Sequence, residues 1–274
     1  MSPETQVSPD PSPNTKNSYW RSEIKEGSIL LVRFERPPAN RLNAESLREL
    51  SKLLDKTEAD TSLKCVVIAS GVDGYFISDT EDSEWEKIRS SESPQTELVP
   101  WHRACSRLVS HPLPTIAAID GVVSGAGIDI VLCADIRVAG PQTQLDFSEY
   151  ASRRTIPYSG ATQRLPRLVG KARALELIIG GSSVSANDAV AYGLVQRVAD
   201  YSALEEALGL ARAVSTLDRQ MVTAAKTAVF SSEVPIAEGL ALESRLAVSL
   251  IAARARTSPE ATGIDNADTN SKNL

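Results

Sequence analysis

The chain has 274 residues, 42% of them hydrophobic, and a formal net charge of −6. This length allows one large domain, or one domain with an appendage, that buries a substantial core. Lysine and arginine are scattered, which excludes the clustered basic surface of a nucleic-acid-binding protein. No apolar run approaches the roughly 18 to 20 residues that span a bilayer, and the polar, proline-rich start is unlike a signal peptide. The composition therefore predicts a globular cytoplasmic protein.

The sequence ends S-K-N-L over residues 271–274. This differs from the S-K-L address of peroxisomal proteins by one inserted residue. A peroxisomal location is therefore the alternative to a cytoplasmic one.

Cysteine and histidine are few and dispersed. Cys65, Cys105 and Cys133 lack C-x-x-C spacing and lie in apolar segments, as buried structural thiols do. His102 and His111 are the only histidines, which leaves few candidates for a Ser-His or Cys-His pair. We therefore predict neither a disulfide nor a metal site.

In chain order, polar tails enclose an alternation of strands and helices. Residues 1–18 and 257–274 carry few large apolar side chains and are predicted to be disordered. Between the tails, β-branched runs alternate with amphipathic stretches, which is the pattern of an α/β fold. The predicted strands include residues 28–34, 64–69 and 115–119, and the first predicted helix covers 44–58.

The last third of the chain is rich in Ala and Leu at helical spacing. The predicted helices lie at residues 168–180, 186–192, 202–217, 218–230 and 235–256. We therefore predict a core over residues 19–200 and a helical region over 201–256, whose apolar faces pack on the same chain or on a neighbouring subunit.

A glycine-rich segment, S-G-A-G-I-D, follows the strand predicted at 115–119 and runs from Ser124 to Asp129. Small residues let a ligand approach the backbone closely, and first-turn N–H groups of a helix have no intrahelical partner. Such groups can receive a developing oxyanion, with Asp129 within or just after that turn. Taken alone, the segment is better explained as a tightly packed helix start whose carboxylate merely stabilises the N-terminus.

A second segment, residues 144–170, reads QLDFSEYASRRTIPYSGATQRLPRLVG. With the first, it resembles the crotonase superfamily of enoyl-CoA hydratases and isomerases. Members carry a glycine-rich helix start, an acid, and a second acid some twenty residues further on, and here Glu149 follows Asp129 by twenty positions. The likeness runs from about Ile29 to Leu250. Further similar segments are residues 36–40, 76–85, 134–137, 189–195 and 225–226.

This resemblance implies a crotonase-like spiral of ββα turns with a C-terminal helical oligomerisation layer, as a homotrimer or a dimer of trimers. It implies an acyl-CoA substrate, an oxyanion hole formed by the backbone N–H groups of Thr80 and Ala126, and Asp129 with Glu149 as the catalytic acids. The positions that correspond to CoA or substrate contacts are Pro38, Ala39, Asn40, Ser78, Gly125, Gly127 and Tyr158. It implies no cofactor besides the CoA thioester. The scattered charge and the absence of a long apolar run predict neither a nucleic-acid nor a membrane partner.

Two carboxylates suit the addition of water to a 2-enoyl thioester, because one group activates the water and the other protonates Cα. Carboxylates that share a site do not ionise equally, so an acid and a base coexist near neutral pH. The predicted function is therefore enoyl-CoA hydratase, with Glu149 protonating Cα and Asp129 holding the water. The alternatives are an enoyl-CoA isomerase and, in another class, a catalytically degenerate acyl-CoA-binding protein.

The sequence departs from the superfamily at several positions. Hydratases generally carry Glu where Asp129 stands, and the shorter side chain moves the carboxylate by more than about 1 Å, which can cost on the order of a hundredfold in rate. Dienoyl-CoA isomerases share this Asp but carry a further acid where Tyr158 aligns. Residues 153–154 add one residue between Glu149 and Pro157, in the wall that would border the acyl group.

The loop over residues 79–86 carries five acids beside the expected entrance for CoA. Ser78, followed three residues later by Glu81, fits a capping box, and first-turn acids suit a helix N-terminus. We therefore predict a helix start here. The alternative is that these acids recognise a polar or cationic acyl group.

Overall fold

The computed structural model describes residues 18–257, and the chain divides into two compact units between Thr216 and Leu217. The predicted tails, 1–18 and 257–274, and the S-K-N-L end lie outside the described residues, apart from Ser18 and Thr257. The strands are β1 (Trp20–Lys25), β2 (Ile29–Phe34), β3 (Cys65–Ser70), β4 (Thr115–Ile119), β5 (Val122–Ser124), β6 (Ile136–Ala139), β7 (Gln144–Asp146), β8 (Ser183–Ser185) and β9 (Arg197–Val198). The helices of the first unit are α1 (Ala44–Ala59), α2 (Asp82–Ser90), α3 (Pro94–Glu97), α4 (Val99–Ser110), α5 (Ala126–Val131), α6 (Ser148–Ser152), α7 (Ala161–Val169), α8 (Lys171–Gly180), α9 (Ala186–Ala191) and α10 (Ala203–Ser215).

Six strands form the larger sheet, in the order β1-β2-β3-β4-β6-β9. β1 pairs antiparallel with β2, and the remaining pairs are parallel. Alternate residues of β2 contribute to two different cores: Leu30 and Val32 belong to one buried cluster, and Ile29 and Leu31 to the other. Because both faces of its central parallel strands are covered, β2, β3 and β4 are apolar over most of their length. The strands predicted at 28–34, 64–69 and 115–119 are confirmed.

A smaller sheet contains β5, β7 and β8. From β4 to β7, successive strands therefore alternate between the two sheets; β8 then pairs with β7 in the smaller sheet, and β9 returns to the larger one. Short helices follow β5, β7 and β8. This alternation confirms the predicted α/β class and brings the glycine-rich helix α5 and the acid-bearing helix α6 to the ends of paired strands.

The predicted helix over 168–180 is wrong at its start. Helix α7 ends at Val169 and α8 begins at Lys171, because Gly170 between them has a φ of 80°, which no helical residue adopts.

Helix α10 covers one face of the larger sheet through small residues. Ala203, Ala207 and Ala211 are buried in the same cluster as the residues of β2, β3 and β4 that lie on this face of the sheet. Alanine at this spacing lets the helix approach the sheet closely. The division of the chain at residue 200 stays a prediction; α10, beyond that residue, belongs to the first compact unit.

The second unit consists of α11 (Arg219–Phe230), a 3-10 turn (Ser231–Glu233) and α12 (Ile236–Thr257). Asp218 caps α11 by accepting hydrogen bonds from the N–H groups of Gln220 and Met221. Large apolar side chains of this unit are exposed, namely Val229, Phe230, Ile236, Leu240, Val248 and Ile251. Across residues 18–257, no helix combines the length and the apolar character needed to cross a bilayer.

Candidate active site

The loop before α1 supports the segment that carries Thr80. Asn40 has a φ of 51° and is fully buried. Its side chain accepts from the N–H of Arg36 and donates to Phe34 O, Ser70 Oγ and Phe76 O. Ser78 N donates to Asn40 O at 3.0 Å, and the Ser78 hydroxyl donates to Ala39 O. Pro38 is exposed and Ala39 half-buried, so these two residues remain accessible, while the Asn40 amide is committed to the loop.

Thr80 sits in an isolated β-bridge with Leu42. Leu42 N donates to Asp79 O at 3.0 Å, and Glu81 N donates to Leu42 O at 2.8 Å. In a parallel bridge of this kind, the N–H and C=O of Thr80 point away from Leu42. The carbonyl of Thr80 accepts a hydrogen bond from Arg153 Nη2 at 3.1 Å. The N–H of Thr80 points to the same side of the chain as this carbonyl.

Helix α5 places the other predicted backbone donor beside that segment. Gly125 has a φ of 47°, and a Cβ on it would lie 2.1 Å from Asp79 Oδ1. A Cβ on Gly127 would lie 2.0 Å from Ile77 O. Both glycines are therefore required by the close approach of α5 to residues 77–79.

The N–H of Ala126, the first residue of α5, donates to Asp79 Oδ1 at 3.0 Å. Asp79 is 3% exposed. Its other oxygen, Oδ2, lies 2.5 Å from Arg153 Nε. One of the two predicted oxyanion donors is thus engaged by a buried carboxylate of the same chain.

The predicted capping box at Ser78 and Glu81 is wrong. Helix α2 begins at Asp82, and Glu81, at its N-cap position, makes no side-chain capping hydrogen bond. The Ser78 hydroxyl instead donates a hydrogen bond to Ala39 O, and Glu81 forms an ion pair with Arg36. Of the five acids in this loop, Asp79 lies in the site itself.

Glu149 is the second residue of α6, and 28% of its side chain is exposed. Its Oε2 lies 3.6 Å from Arg153 Nε, so one guanidinium contacts both Glu149 and Asp79. Arg153 Nη2 also lies 3.0 Å from Asp82 Oδ1. Burial alone would lower the pKa of Arg153, but the neighbouring carboxylates outweigh it and raise that pKa.

Asp129 lies on α5 and is 1% exposed. Its Oδ1 accepts from the N–H of Ala161, the first residue of α7, at 2.8 Å. Its Oδ2 has no hydrogen-bond partner within residues 18–257. Burial raises the pKa of Asp129 from its ordinary 3.8 to about 7, although the Ala161 hydrogen bond and the charge of Arg164 act in the opposite direction. The carboxyl therefore titrates close to neutral pH.

Aromatic side chains form one wall of the site. The Tyr158 ring stacks on Trp85 with centroids 6.1 Å apart and meets Trp101 edge-on at 6.4 Å. The Tyr158 hydroxyl is 2.7 Å from Thr80 Oγ1, and burial together with the charge of Asp79 raises the pKa of Tyr158. The Arg153 guanidinium lies 5.3 Å from the Trp85 ring centre, a cation–π contact.

The site therefore contains residues that sequence reasoning did not select, among them Asp79, Trp85 and Arg153. Two signals pointed towards them, the acidic loop and the additional residue at 153–154. Neither signal reveals that Asp79 and Arg153 meet, because 74 positions separate them in the chain.

Comparison with protein families gives a match over residues 24–263 to a model described as enoyl-CoA hydratase/isomerase. The chain is 33% identical over 226 residues to the putative enoyl-CoA hydratase/isomerase YngF of Bacillus subtilis, covering 81% of this chain and 86% of YngF. It is 33% identical over 224 residues to the mitochondrial methylglutaconyl-CoA hydratase of Rattus norvegicus, covering 79% of this chain and 70% of the relative.

Solved structures give the same picture at lower identity. An enoyl-CoA hydratase from Bacillus anthracis superimposes with a TM-score of 0.80 at 27% identity, over 85% of this chain and 91% of that one. Pseudomonas aeruginosa DspI superimposes with a TM-score of 0.82 at 27% identity, over 88% of this chain and 99% of that one.

Proposed function

The chain belongs to the enoyl-CoA hydratase/isomerase family, as its crotonase-like motifs predict, and from this premise we propose that it transfers protons at the acyl group of an enoyl-CoA thioester. The observation that carries the proposal is a chain of contacts. Glu149 Oε2 lies near Arg153, Arg153 pairs with Asp79, and Asp79 accepts from Ala126 N–H. An accessible acid and a helix-start N–H therefore belong to one site.

In this proposal the thioester oxygen binds the N–H groups of Thr80 and Ala126. Proton transfer at Cα passes through an enolate, and fixed N–H donors stabilise the charge that develops on its oxygen. Removal of one such donor typically lowers kcat by about 10²–10³-fold. The CoA moiety would pass along Pro38 and Ala39, beside Ser78, where the loop is accessible.

The first candidate reaction is hydration of a 2-enoyl-CoA. Glu149 protonates Cα, and Asp129 holds the attacking water and accepts the proton that the water releases when its oxygen bonds to Cβ. Two observations support it: Asp129 has a pKa of about 7, so it can exchange a proton near neutrality, and several similar proteins are named hydratases.

The second candidate is isomerisation of an enoyl-CoA double bond. It is favoured by the enclosure of Asp129, whose Oδ1 is taken by Ala161 N–H and whose carboxyl is almost fully buried. Glu149 would then be the accessible carboxyl, and a single base suffices to move a proton between two carbons of the acyl chain.

Assays of crotonyl-CoA hydration and 3-enoyl-CoA isomerisation separate the candidates. We expect Glu149→Gln to lower kcat by about 10²–10⁴-fold in whichever reaction occurs. Glu176→Gln is the control, because Glu176 is an exposed partner of Arg173 on α8. Asp129→Asn abolishes hydration if Asp129 holds the water, and leaves isomerisation largely intact.

Full activity of the Glu149→Gln variant would refute the assigned role. Absence of turnover with both substrates would instead favour the third alternative, a degenerate acyl-CoA-binding protein, for which the engagement of Ala126 N–H by Asp79 is the supporting observation.

We also propose that the chain forms a homotrimer or a dimer of trimers. Support comes from the exposed apolar side chains of α11 and α12, among them Phe230, Ile236 and Ile251. Sedimentation equilibrium tests this directly, and a monomeric mass at micromolar concentration would contradict it.

A further inference from the structure

The N–H of Ala126 cannot serve a substrate while it donates to Asp79. Donor and acceptor are both buried, with Ala126 1% and Asp79 3% exposed, and their separation is 3.0 Å. A carboxylate at this position occupies the direction in which a thioester oxygen would have to approach. It also repels the negative charge that an enolate oxygen acquires.

Two features hold Asp79 in this position. Arg153 Nε binds its outer oxygen at 2.5 Å, from a side chain that is itself 12% exposed. The missing side chain of Gly125 provides the space, since a Cβ there would lie 2.1 Å from Asp79 Oδ1. The arrangement is thus packed and charge-compensated.

We propose that Asp79 is the gating residue of this site: it competes with the thioester oxygen for the N–H of Ala126, and an acyl-CoA must displace it before the oxyanion hole forms. This inference rests on the proposed function. Arg153 acts as a positioning residue, because it binds Asp79 Oδ2 and keeps that contact while Oδ1 turns away from the N–H of Ala126. Its contacts with Asp82 and Glu149 keep the guanidinium compensated during that movement.

The gate has a quantitative consequence for affinity. A ligand that binds only the open form has an apparent affinity reduced by the fraction of molecules that are open. Because a hydrogen bond to a charged group has a substantial net free energy, removing the competitor should tighten binding about 10- to 100-fold. A purely structural role for Asp79 would produce no such gain.

Calorimetric titration with butyryl-CoA, which lacks the double bond and does not react, measures this effect. We expect Asp79→Ala to bind butyryl-CoA about 10- to 100-fold more tightly than the wild type. The affinity of the isosteric Asp79→Asn variant should lie between those of Asp79→Ala and the wild type. Asp73→Ala is the matched control, since Asp73 is exposed in the turn before Tyr75. It should leave the Kd unchanged.

The unmodified protein provides a second readout, which does not depend on the folding of a variant. In amide NMR spectra, the Ala126 resonance should shift on addition of butyryl-CoA, because its acceptor changes from a carboxylate to a thioester oxygen. Asp79→Ala should shift the same resonance without ligand.

Three results would overturn the gate. The first is an Asp79→Ala variant that binds butyryl-CoA no more tightly than the wild type, and the second is an Ala126 resonance that does not shift when the ligand is added. The third is the absence of binding by either protein. The first two leave the proposed function standing if the wild type turns over crotonyl-CoA or a 3-enoyl-CoA. Conversely, tighter binding by Asp79→Ala without turnover by the wild type supports the gate and overturns the proposed reaction.

Discussion

Arg153 and Asp79 form a buried ion pair, with Nε and Oδ2 2.5 Å apart and only 12% and 4% of the two side chains exposed. Removing one partner of such a pair leaves an uncompensated buried charge. We therefore expect Arg153→Gln to lower the free energy of unfolding by about 3–5 kcal/mol in urea denaturation.

The double variant Asp79→Ala/Arg153→Gln distinguishes this cause from lost packing. It should be destabilised by less than the two single variants together, because neither charge is then left alone. Strictly additive free energies would show that the pair is not energetically coupled.

The sequence predicts what local patterns determine. The run over 115–119 forms β4 as predicted, because an apolar β-branched segment between Pro114 and Asp120 is sufficient to specify a buried strand. The capping box predicted at Ser78 is wrong for a non-local reason, because the Ser78 hydroxyl donates a hydrogen bond to Ala39 O, 39 positions away. A helix-capping pattern carries no information about such a competitor.

The same limit applies to the site. The selection of the acids at 129 and 149 follows from the resemblance to the crotonase superfamily, and the structure places both on the short helices that follow β5 and β7. The contact between Asp79 and Ala126 joins residues 47 positions apart and depends on the close approach of two segments at Gly125. The periodicity of apolar residues in the sequence carries no information about this approach.

Gly125 provides a test of this packing. A Cβ at a φ of 47° is strained, and it would lie 2.1 Å from Asp79 Oδ1. Left-handed backbone at a non-glycine residue costs about 1–3 kcal/mol, so Gly125→Ala should destabilise the protein by at least that amount in urea denaturation.

Gly209→Ala is the matched control for Gly125→Ala. Gly209 lies within α10, and a Cβ there meets no atom within 4 Å. Alanine in a helix interior should stabilise the protein by about 0.5–1 kcal/mol. Equal effects of the two substitutions would contradict the close approach at Gly125.

The three cysteines should be unreactive in the folded protein. Cys65, Cys105 and Cys133 are buried, and the hydrogen bond with Cys133, together with burial, raises the pKa of Cys105. Titration with a thiol-specific disulfide reagent should give no fast reaction under native conditions and three equivalents in denaturant. A fast native equivalent would show that one thiol is accessible.

Asp129 should make the stability of the protein depend on pH. Its pKa is about 7 in the folded protein, against an ordinary value of 3.8, so between these values the folded state keeps a proton that the unfolded state has lost. The unfolded chain then binds fewer protons, and the free energy of unfolding falls as pH rises. The loss begins near pH 4, is complete somewhat above pH 7, and amounts to roughly 4 kcal/mol.

Asp129→Asn should remove this dependence, because an amide does not titrate and can still accept from Ala161 N–H. Urea unfolding of both proteins between pH 4.5 and 8 would measure it. We expect the wild type to lose stability relative to the variant as pH rises through this range, and to run parallel to it above about pH 8. Curves that stay parallel throughout would show that Asp129 titrates at its ordinary pKa, and hence that its carboxyl is hydrated rather than enclosed between α5 and α7.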